Sequence, residues 1–383
     1  MTDQVALQLA LGREDTGLQV GAFVQILNET TNSYKYLFLL GLLDHISSKP
    51  PDQPIKIPLS ELAIDMATLA WFPCRYFKLS FGVQDQLPRL LLSVGAAIAT
   101  RKHGREVLQH IRNEIPKHVE LNDFAKTLLR YVPFRLLKPF FVDQLRNAKD
   151  SEVDGLIRVW SQKNQNSDSP PLYTLHGLSN RPQDLTLEIH PRWQTMLLRW
   201  HAVIRAWVLH EWAKYLQARN PSMPNILGKL LPPDERSSTQ FNKSRSLWRQ
   251  LLSRQRVTCP YTGNELKAQV FGLDHFLPWS YVGHDLPWNL VPTLPSVNSS
   301  KGAKLPDEKY IEAIAIRQHQ ALRYARQNFT PSGWSNWTES YCQDLRVSDD
   351  ELLNRDALVR AYKQTMVPQI VLGRQLGFEG GWE

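Results

Sequence analysis

The most restrictive feature of this chain is a set of five polar residues at fixed spacings inside one short, otherwise largely apolar stretch. They are Asp274, His275, Asn289, Asn298 and Lys301. The first two are adjacent, and the other three follow the histidine by 14, 23 and 26 positions. A carboxylate, an imidazole, two amides and an amine are the groups that hydrolytic sites use, so the set points to chemistry rather than to packing.

The residues around these positions predict two strands and a short helix. Val270–Phe276 is apolar and β-prone, as a first strand should be. Pro278–Pro287 carries glycine, aspartate and two prolines, which are typical of a looped excursion. Asn289–Val291 then predicts a returning strand, and Ser296 is a suitable N-cap for a helix that carries the last two of the five residues on one face.

At these spacings the segment resembles the HNH, or ββα-metal, family of endonucleases over residues 257–305. Members of that family cut phosphodiester bonds with one divalent metal ion and one histidine. Ser33–Tyr36, Val132–Arg135 and the motif itself also resemble a wider set of bacterial HNH proteins. That likeness implies a stand-alone nuclease of the kind found in restriction and anti-phage defence systems, with flanking helices that recognise substrate or protein partners.

The resemblance assigns a role to each of the five residues. His275 is the expected general base, since imidazole is the side chain best matched to proton transfer near neutral pH. Asp274 and Asn298 are the expected ligands of Mg²⁺ or Mn²⁺, because hard cations prefer oxygen donors. Asn289 is expected to brace the loop that holds the histidine. Lys301 is expected to act as a cation near the substrate phosphates.

Each residue also has an ordinary structural explanation when it is taken singly. An Asp-His pair is commonly a hydrogen-bonded turn feature, an asparagine forms turns or caps helices, and a lysine is commonly a solvated charge. The joint match of five residue types favours the HNH fold over those explanations. Because that fold can persist without cleavage, a nucleic-acid-binding or scaffolding subunit of a larger complex stays open as the alternative function.

One departure from the family pattern concerns zinc. Many HNH domains carry two CxxC knuckles around a structural zinc ion, whereas here the first knuckle position reads Cys259-Pro-Tyr-Thr and the second pair falls at Leu294 and Val297. Since tetrahedral zinc needs four nitrogen or sulfur ligands, no structural zinc is expected. Cys259 is instead predicted to be a small buried side chain. His284 is an alternative ligand or base, although a histidine beside Asp285 is more commonly a local hydrogen-bonding group.

Composition describes an ordinary globular chain of 383 residues with a formal net charge of +8, which is long enough for two or three structural units. Three scattered cysteines (Cys74, Cys259 and Cys342) predict a reducing compartment. The start of the chain lacks the pattern of a signal peptide. The longest apolar run, Tyr36–Leu43, is far shorter than the ~20 residues that cross a bilayer. A cytoplasmic protein is expected.

The positive charge suits a polyanionic partner, and DNA is the expected substrate, with RNA as the alternative. The residues expected to contact nucleic-acid phosphates are Arg245, Arg249, Arg254, Arg256 and Lys304. A second basic run lies between residues 101 and 149. For that run, the surface helices of any soluble protein explain the charges equally well.

The expected fold class is α+β, a mostly helical chain with an embedded ββα-metal module. The helices are predicted at Ser33–Ile46, Leu87–Thr100, Phe124–Leu137, Trp193–Ala218, from Pro306 onward and at Asp349–Leu376, with a hairpin at Leu172–His176 and Leu185–Ile189. The expected boundaries are a helical domain at 1–161, a linker at 162–171, a hairpin with a Trp-rich helical platform at 172–250, the nuclease module at 251–306 and a helical segment at 307–383.

Overall fold

The computed structural model describes residues 8, 11, 17–50, 53–95, 105–118, 121–232 and 238–382. Within them the chain divides into two compact units. The N-terminal unit comprises Met1–Pro221 and Ile226–Pro232, and the C-terminal unit comprises Ser222–Asn225 and Pro233–Glu383. The described parts of both units are mainly helical and contain one small antiparallel sheet each. This confirms the α+β, mostly helical class predicted from the sequence.

The N-terminal unit consists of helices and one three-stranded sheet. Its described helices are α1 (Val20–Gln25), α2 (Tyr34–Ser47), α3 (Leu59–Trp71), α4 (Leu87–Gly95), α5 (Arg105–His118), α6 (Leu121–Leu129), α7 (Val132–Arg135), α8 (Val142–Leu145), α9 (Asp150–Lys163), α10 (Pro191–Arg199) and α11 (His201–Gln217). Its strands are β1 (Lys56–Pro58), β2 (Tyr173–His176) and β3 (Thr186–Ile189), with β3 in the centre.

The core of this unit is organised around α2. Nine of the 14 residues of this helix are buried, because its sequence is apolar on nearly every face. Helices α3, α10 and α11 pack against it. Tyr36 and Phe38 each contact an aromatic ring from a later part of the chain, at centroid distances of 5.6 Å to Tyr215 and 6.1 Å to Tyr173. A helix that is buried all round therefore serves as the centre of the unit.

The predicted hairpin is present as β2 and β3, but the sheet has a third strand that the sequence pattern did not indicate. In β1, Ile57 pairs with Leu187 across an antiparallel register. The strand has only three residues and ends in Pro58. Such a segment is too short for a two-residue hydrophobic period to be recognised.

The Trp-rich helix predicted as one element at Trp193–Ala218 is two helices, α10 and α11. The chain leaves helical geometry at Trp200, where φ is −101° and ψ is 15°. Neither proline nor glycine lies between residues 192 and 218, so nothing in the local sequence explains the break. Trp193 and Trp212 are buried in the core, as the stripe predicts.

The C-terminal unit carries the ββα segment together with longer helices that surround it. Its described helices are α12 (Thr239–Arg254), α13 (Trp279–Val282), α14 (Pro295–Lys301), α15 (Ile311–Asn328), α16 (Pro331–Leu345) and α17 (Arg355–Gln375), and its strands are β4 (Gly272–His275) and β5 (Leu290–Thr293). The last helix begins six residues later than predicted, because the Asn354 side chain accepts hydrogen bonds from the N–H groups of Asp356 and Ala357 and caps it there.

The entry into β5 is fixed by buried side chains from the surrounding helices. Gln318 of α15 is 1% exposed, and its amide nitrogen lies 3.1 Å from the Pro287 carbonyl and 2.9 Å from the Leu290 carbonyl. Its amide oxygen accepts a 2.7 Å hydrogen bond from the Tyr341 hydroxyl of α16. Tyr362 of α17 donates to the Trp288 carbonyl at 2.8 Å. The backbone at this end of the hairpin therefore depends on three helices.

The predicted linker lies inside one unit, and some of the other predictions fall on residues outside those described. The polar stretch 162–171 lies within the N-terminal unit, where Gln162 donates to the Leu175 carbonyl and the Trp193 indole donates to the Pro170 carbonyl. The predicted domain boundaries remain predictions. Residues 96–100 of the helix predicted at Leu87–Thr100, residues 101–104 of the basic run and most of the first 16 residues lie outside the described residues. Among the helices that the structure describes, none has the length and apolar character to span a bilayer.

Replacing Gln318 by leucine should destabilise the C-terminal unit. The change keeps the side-chain volume similar but leaves the carbonyls at the start of β5 without their donor and the Tyr341 hydroxyl without its acceptor, at a cost of about 1–3 kcal/mol. Urea unfolding followed by tryptophan fluorescence measures the loss. Gln343→Leu, on an exposed position of α16, is the matched control and should leave the midpoint unchanged. Equal midpoints for the two variants would contradict a stabilising role for the hydrogen bonds of Gln318.

Candidate active site

The five residues singled out in the sequence are carried by an antiparallel hairpin and the helix that follows it. Asp274 pairs with Val291 and His275 with Leu290, at the end of β4. Helix α14 then packs on β4. The helix begins differently from the prediction: Pro295 occupies its first turn and Leu294 precedes it, so Ser296 lies inside the helix and is not its cap. Proline is favoured there because its fixed φ suits the helix and its missing N–H has no partner to lose.

Asn289 is fully buried and holds the backbone two residues beyond the histidine. Its amide nitrogen donates to the Leu277 carbonyl at 2.9 Å, and its amide oxygen accepts from the Leu277 N–H at 2.8 Å. The Phe276 N–H donates in turn to the Asn289 carbonyl at 2.8 Å. One residue therefore closes the connection from β4 into the excursion, which fixes the direction in which His275 leaves the strand.

Lys301 lies in the interface between the hairpin and α14 and is fully buried. Its ammonium lies 3.2 Å from the Asp274 carboxylate and donates a 2.6 Å hydrogen bond to the His275 carbonyl. Burial lowers the pKa of Lys301, and the charge of Asp274 opposes that change. The position expected to contact substrate phosphates is therefore an internal cation that holds two consecutive residues of β4.

Asp274 is 3% exposed and has a second partner besides the lysine. The Tyr261 hydroxyl donates to its Oδ2 at 2.5 Å. The Tyr261 ring is itself held edge-on by Tyr310 and Trp382, at centroid distances of 5.1 and 5.2 Å. An ammonium and a phenol thus orient the carboxylate from two directions.

His275 is 5% exposed and its ring is held by groups from two other segments. Its Nε2 lies 2.7 Å from the Oδ1 atom of Asp285, and Oδ2 of the same carboxylate accepts a 2.6 Å hydrogen bond from the Ser238 hydroxyl. The Phe241 ring stacks on the imidazole with a centroid distance of 5.9 Å and an interplanar angle of 18°. The arrangement fixes both the orientation of the ring and the nitrogen that faces a carboxylate.

Asn298 lies one helical turn before Lys301 on α14, and its side chain approaches Gly272 of β4. A Cβ atom built on Gly272 would come within 3.3 Å of the Asn298 Cβ. Gly272 and Asp274 are two residues apart on the strand, so they share one face of the hairpin. The absence of a side chain at Gly272 lets the asparagine approach the face that carries Asp274. Asn298 is half-buried.

The basic residues predicted to bind phosphates fall into two groups. Arg245 and Arg249 lie on α12 on the same face as Phe241, and the Arg245 guanidinium lies 5.3 Å from the centroid of that ring. The others have protein partners. These contacts are Arg254 to Asn328 at 3.3 Å, Arg256 to Glu265 at 3.0 Å and Lys304 to Glu379 at 3.1 Å. Arg245 and His275 thus both contact the ring of Phe241.

The position of the first zinc knuckle is occupied by a buried thiol. Cys259 is 1% exposed, and its sulfur lies 3.2 Å from the Thr293 hydroxyl of β5. Burial raises the pKa of this thiol, but hydrogen bonds from Thr293, Thr262 and backbone N–H groups outweigh burial, so the net direction is downward. Leu294 and Val297 are both half-buried.

Comparison with known families supplies one match. Residues 259–307 match the family model described as HNH endonuclease. This segment is an HNH module. Neither the curated proteins nor the solved structures gave a match to the chain. The matched segment contains all five residues of the sequence motif together with Tyr261 and Asp285.

HNH nucleases generally use a divalent metal ion, and hard divalent cations such as Mg²⁺ take oxygen ligands. Among the described residues, no group of three or more His, Cys, Asp or Glu side chains lies close enough together to hold a metal. The remaining donor set is one carboxylate and one amide, Asp274 and Asn298. Mg²⁺ keeps several waters and is commonly held by one or two protein groups, so this sparse set fits a hydrated ion of that kind.

Four contacts of the HNH module were missing from the sequence prediction. They involve Tyr261, Asp285, Ser238 and Phe241. Tyr261 and Asp285 lie in the knuckle segment and in the looped excursion, where a polar residue beside the motif was the only available signal. Ser238 and Phe241 lie at the start of α12, where Ser238 also caps the helix by accepting from the Phe241 N–H. A serine before a helix predicts the cap but not its second partner.

Lys301→Met should destabilise the HNH module strongly. The substitution keeps an unbranched side chain of similar length but leaves the Asp274 carboxylate buried without its cation, and breaking a buried ion pair costs about 3–5 kcal/mol. Thermal unfolding followed by circular dichroism checks this. Lys304→Met is the control, since the side chain of that lysine is 41% exposed. If Lys301→Met melted like the parent and only lowered the salt dependence of DNA binding, a phosphate-contacting role would replace the structural one.

Proposed function

We propose that this chain is a metal-dependent HNH endonuclease that hydrolyses phosphodiester bonds of DNA, one strand for each active site. The observation that supports this most directly is the orientation of His275. Its ring is fixed between Asp285 and Phe241 at the end of β4, next to Asp274 in sequence. A general base needs that combination of a defined nitrogen and a fixed ring plane.

In the proposed reaction the histidine takes a proton from the attacking water. An ionised carboxylate can only accept hydrogen bonds, so Asp285 favours the tautomer of His275 with its proton on Nε2. Nδ1 is then the basic nitrogen. The aspartate also stabilises the imidazolium that forms as the water loses its proton, in the way a carboxylate supports the histidine of a hydrolase triad.

The phosphate is bound and oriented by the groups around the histidine. Asp274 and Asn298 would hold a hydrated Mg²⁺ or Mn²⁺, which supplies Lewis-acid polarisation of the phosphoryl group and stabilisation of the leaving 3′-oxygen. Lys301 would keep Asp274 in place. The products would carry a 5′-phosphate and a 3′-hydroxyl. Arg245 and Arg249, on the Phe241 face of α12, would contact flanking phosphates.

A second candidate function is a nucleic-acid-binding subunit without cleavage of its own. The observation that favours it is the burial of the same groups: both oxygens of the Asp274 carboxylate have protein donors within 3.2 Å, and His275 is 5% exposed. In that case the module would hold nucleic acid through its basic side chains alone. The two functions differ in whether metal-dependent nicking occurs.

His275→Ala should abolish nicking of supercoiled plasmid in Mg²⁺ or Mn²⁺ while leaving the affinity for DNA within about twofold of the parent. Gel electrophoresis of the plasmid measures cleavage, with EDTA as the metal-free control. His284→Ala, in the excursion that follows β4, should cleave like the parent because that ring packs on Trp288 and accepts from the Leu286 N–H. Plasmid cleavage by His275→Ala at the parental rate would refute the base assignment, and a parent that binds but never nicks would favour the subunit.

Asp285→Asn should lower kcat by about 10²–10⁴-fold and change KM little, because the amide can present an N–H to Nε2 and impose the wrong tautomer. Single-turnover cleavage measures the rate, and ¹⁵N spectra of the histidine report the tautomer. Ser238→Ala is the companion variant: it removes the serine hydroxyl that donates to this carboxylate but keeps the charge, so its rate should fall far less. Equal losses in the two variants, with an unchanged tautomer, would make Asp285 a purely structural residue.

A further inference from the structure

The N-terminal unit contains a large cleft, lined by several cationic side chains, that the proposed nuclease function does not use. Its volume is about 1220 Å³. A neighbouring pocket of about 460 Å³ shares Asn32, Tyr34, Thr127 and Tyr131 with it. We refer to the two together as the N-terminal cleft. Sites for drug-sized ligands are typically ~300–1,000 Å³, so a cleft of this size suits part of a polymer better than a small molecule.

The cations that line this cleft are of two kinds. Some are engaged in the protein: Arg135 binds the carboxylates of Asp150 and Asp154 at 2.6 Å, and Arg158 donates to the backbone carbonyls of Gly177 and Ser179. These guanidinium groups hold the walls together. Their charge is already used by the fold, so they do not by themselves indicate a ligand.

The other cations are not paired in this way. Within the described residues, no ion pair or hydrogen bond involves the side-chain nitrogens of Lys126, Arg130, Arg181 or Lys138. All four side chains are exposed. Lys126 and Arg130 are also four residues apart at the end of α6, a spacing at which like charges repel. Neighbouring cations without a carboxylate partner are suited to binding an anionic ligand.

Tyr131 supplies an aromatic surface among these charges. It is 47% exposed and lines both parts of the cleft. The guanidinium groups of Arg130 and Arg135 lie 4.9 and 5.5 Å from its ring centroid. An exposed aromatic ring flanked by cations is the combination with which proteins bind unpaired nucleotides, since the bases stack on the ring and the phosphates meet the charges.

The remaining lining includes hydrogen-bonding side chains as well as apolar surface. Side-chain amides of Gln84, Gln86 and Asn180 line the cleft, and each offers donors and acceptors to a base edge. Of the carboxylates, Asp154 is already bound by Arg135, and Asp123 is the other that lines the larger part. A duplex keeps its base faces stacked on one another, so the ring of Tyr131 would serve no purpose there.

We propose that the N-terminal cleft binds single-stranded nucleic acid, with a base stacked on Tyr131 and phosphates on Lys126, Arg130 and Arg181. This goes beyond the proposed nuclease function and does not require it, because binding here needs neither the HNH module nor a metal ion. The strand could be a substrate or a separate nucleic-acid ligand, and both present the same stacked base and phosphate chemistry to this cleft.

The test is the affinity of the full chain for a labelled single-stranded oligonucleotide of about 16 nucleotides, measured by fluorescence anisotropy in EDTA. His275→Ala serves as the background, so that cleavage cannot change the probe. Tyr131→Ala should weaken binding about tenfold and Tyr131→Phe should not, since phenylalanine keeps the stacking face. Arg130→Glu should also weaken binding about tenfold and flatten its salt dependence.

Arg146→Glu is the matched control, because it makes the same charge change at an exposed position outside the cleft. Its affinity should stay within about twofold of the parent. Circular dichroism melts of all variants confirm that folding is unchanged. Parental affinity in Tyr131→Ala and Arg130→Glu would overturn the proposal, and so would equal weakening by Arg146→Glu.

Ultraviolet cross-linking to a bromodeoxyuridine-substituted strand then separates this site from the HNH module. Cross-links at Tyr131 or Tyr34 support the proposal, whereas cross-links confined to α12 and the HNH module (residues 239–307) would place all binding in the C-terminal unit and overturn it. A duplex competitor that displaces the strand from Tyr131 at equal concentration would show that the ligand class is wrong. A parent that never nicks plasmid but loses strand binding in Tyr131→Ala would refute the nuclease and leave this inference intact.

Discussion

The buried ammonium of Lys301 is the interaction on which the geometry of the HNH module depends. Burying a charge without a partner is prohibitively costly, so the lysine can lie in the interface between hairpin and helix only if Asp274 and the His275 carbonyl remain where they are. The same ammonium therefore joins α14 to β4 and fixes two consecutive residues of the strand. Asn298, one turn earlier on that helix, is carried to the same face by this attachment.

Much of the module could be predicted from sequence because its information is local. A short apolar and β-prone segment, a proline-rich excursion, a returning strand and a short polar helix follow one another directly, so each strand and α14 lies close to its predicted place. The partners that hold the side chains could not be predicted in that way. Ser238 reaches Asp285 from 47 positions away and Gln318 reaches the start of β5 from about 30, and nothing in a serine or a glutamine specifies so distant a partner.

The N-terminal unit shows the same limit for charge. The sequence showed a basic run but not which of its arginines form ion pairs inside the protein. The structure distinguishes them: Arg135 has two carboxylates within 2.6 Å, whereas Arg130 lies over an exposed tyrosine ring. Three-residue β1 and the break at Trp200 were missed for a different reason, because neither has a periodic or a proline signal.

Asp274 accepts hydrogen bonds from Tyr261 and Lys301, and these two contacts do not exclude a metal ion. A carboxylate has about four lone-pair positions, so hydrogen bonds from Tyr261 and Lys301 leave capacity for a further ligand. The lysine already neutralises much of the carboxylate charge, so an ion bound here as proposed would be attracted less strongly than by a free carboxylate. Such an ion would keep most of its water, and the half-buried Asn298 amide would be its second protein ligand.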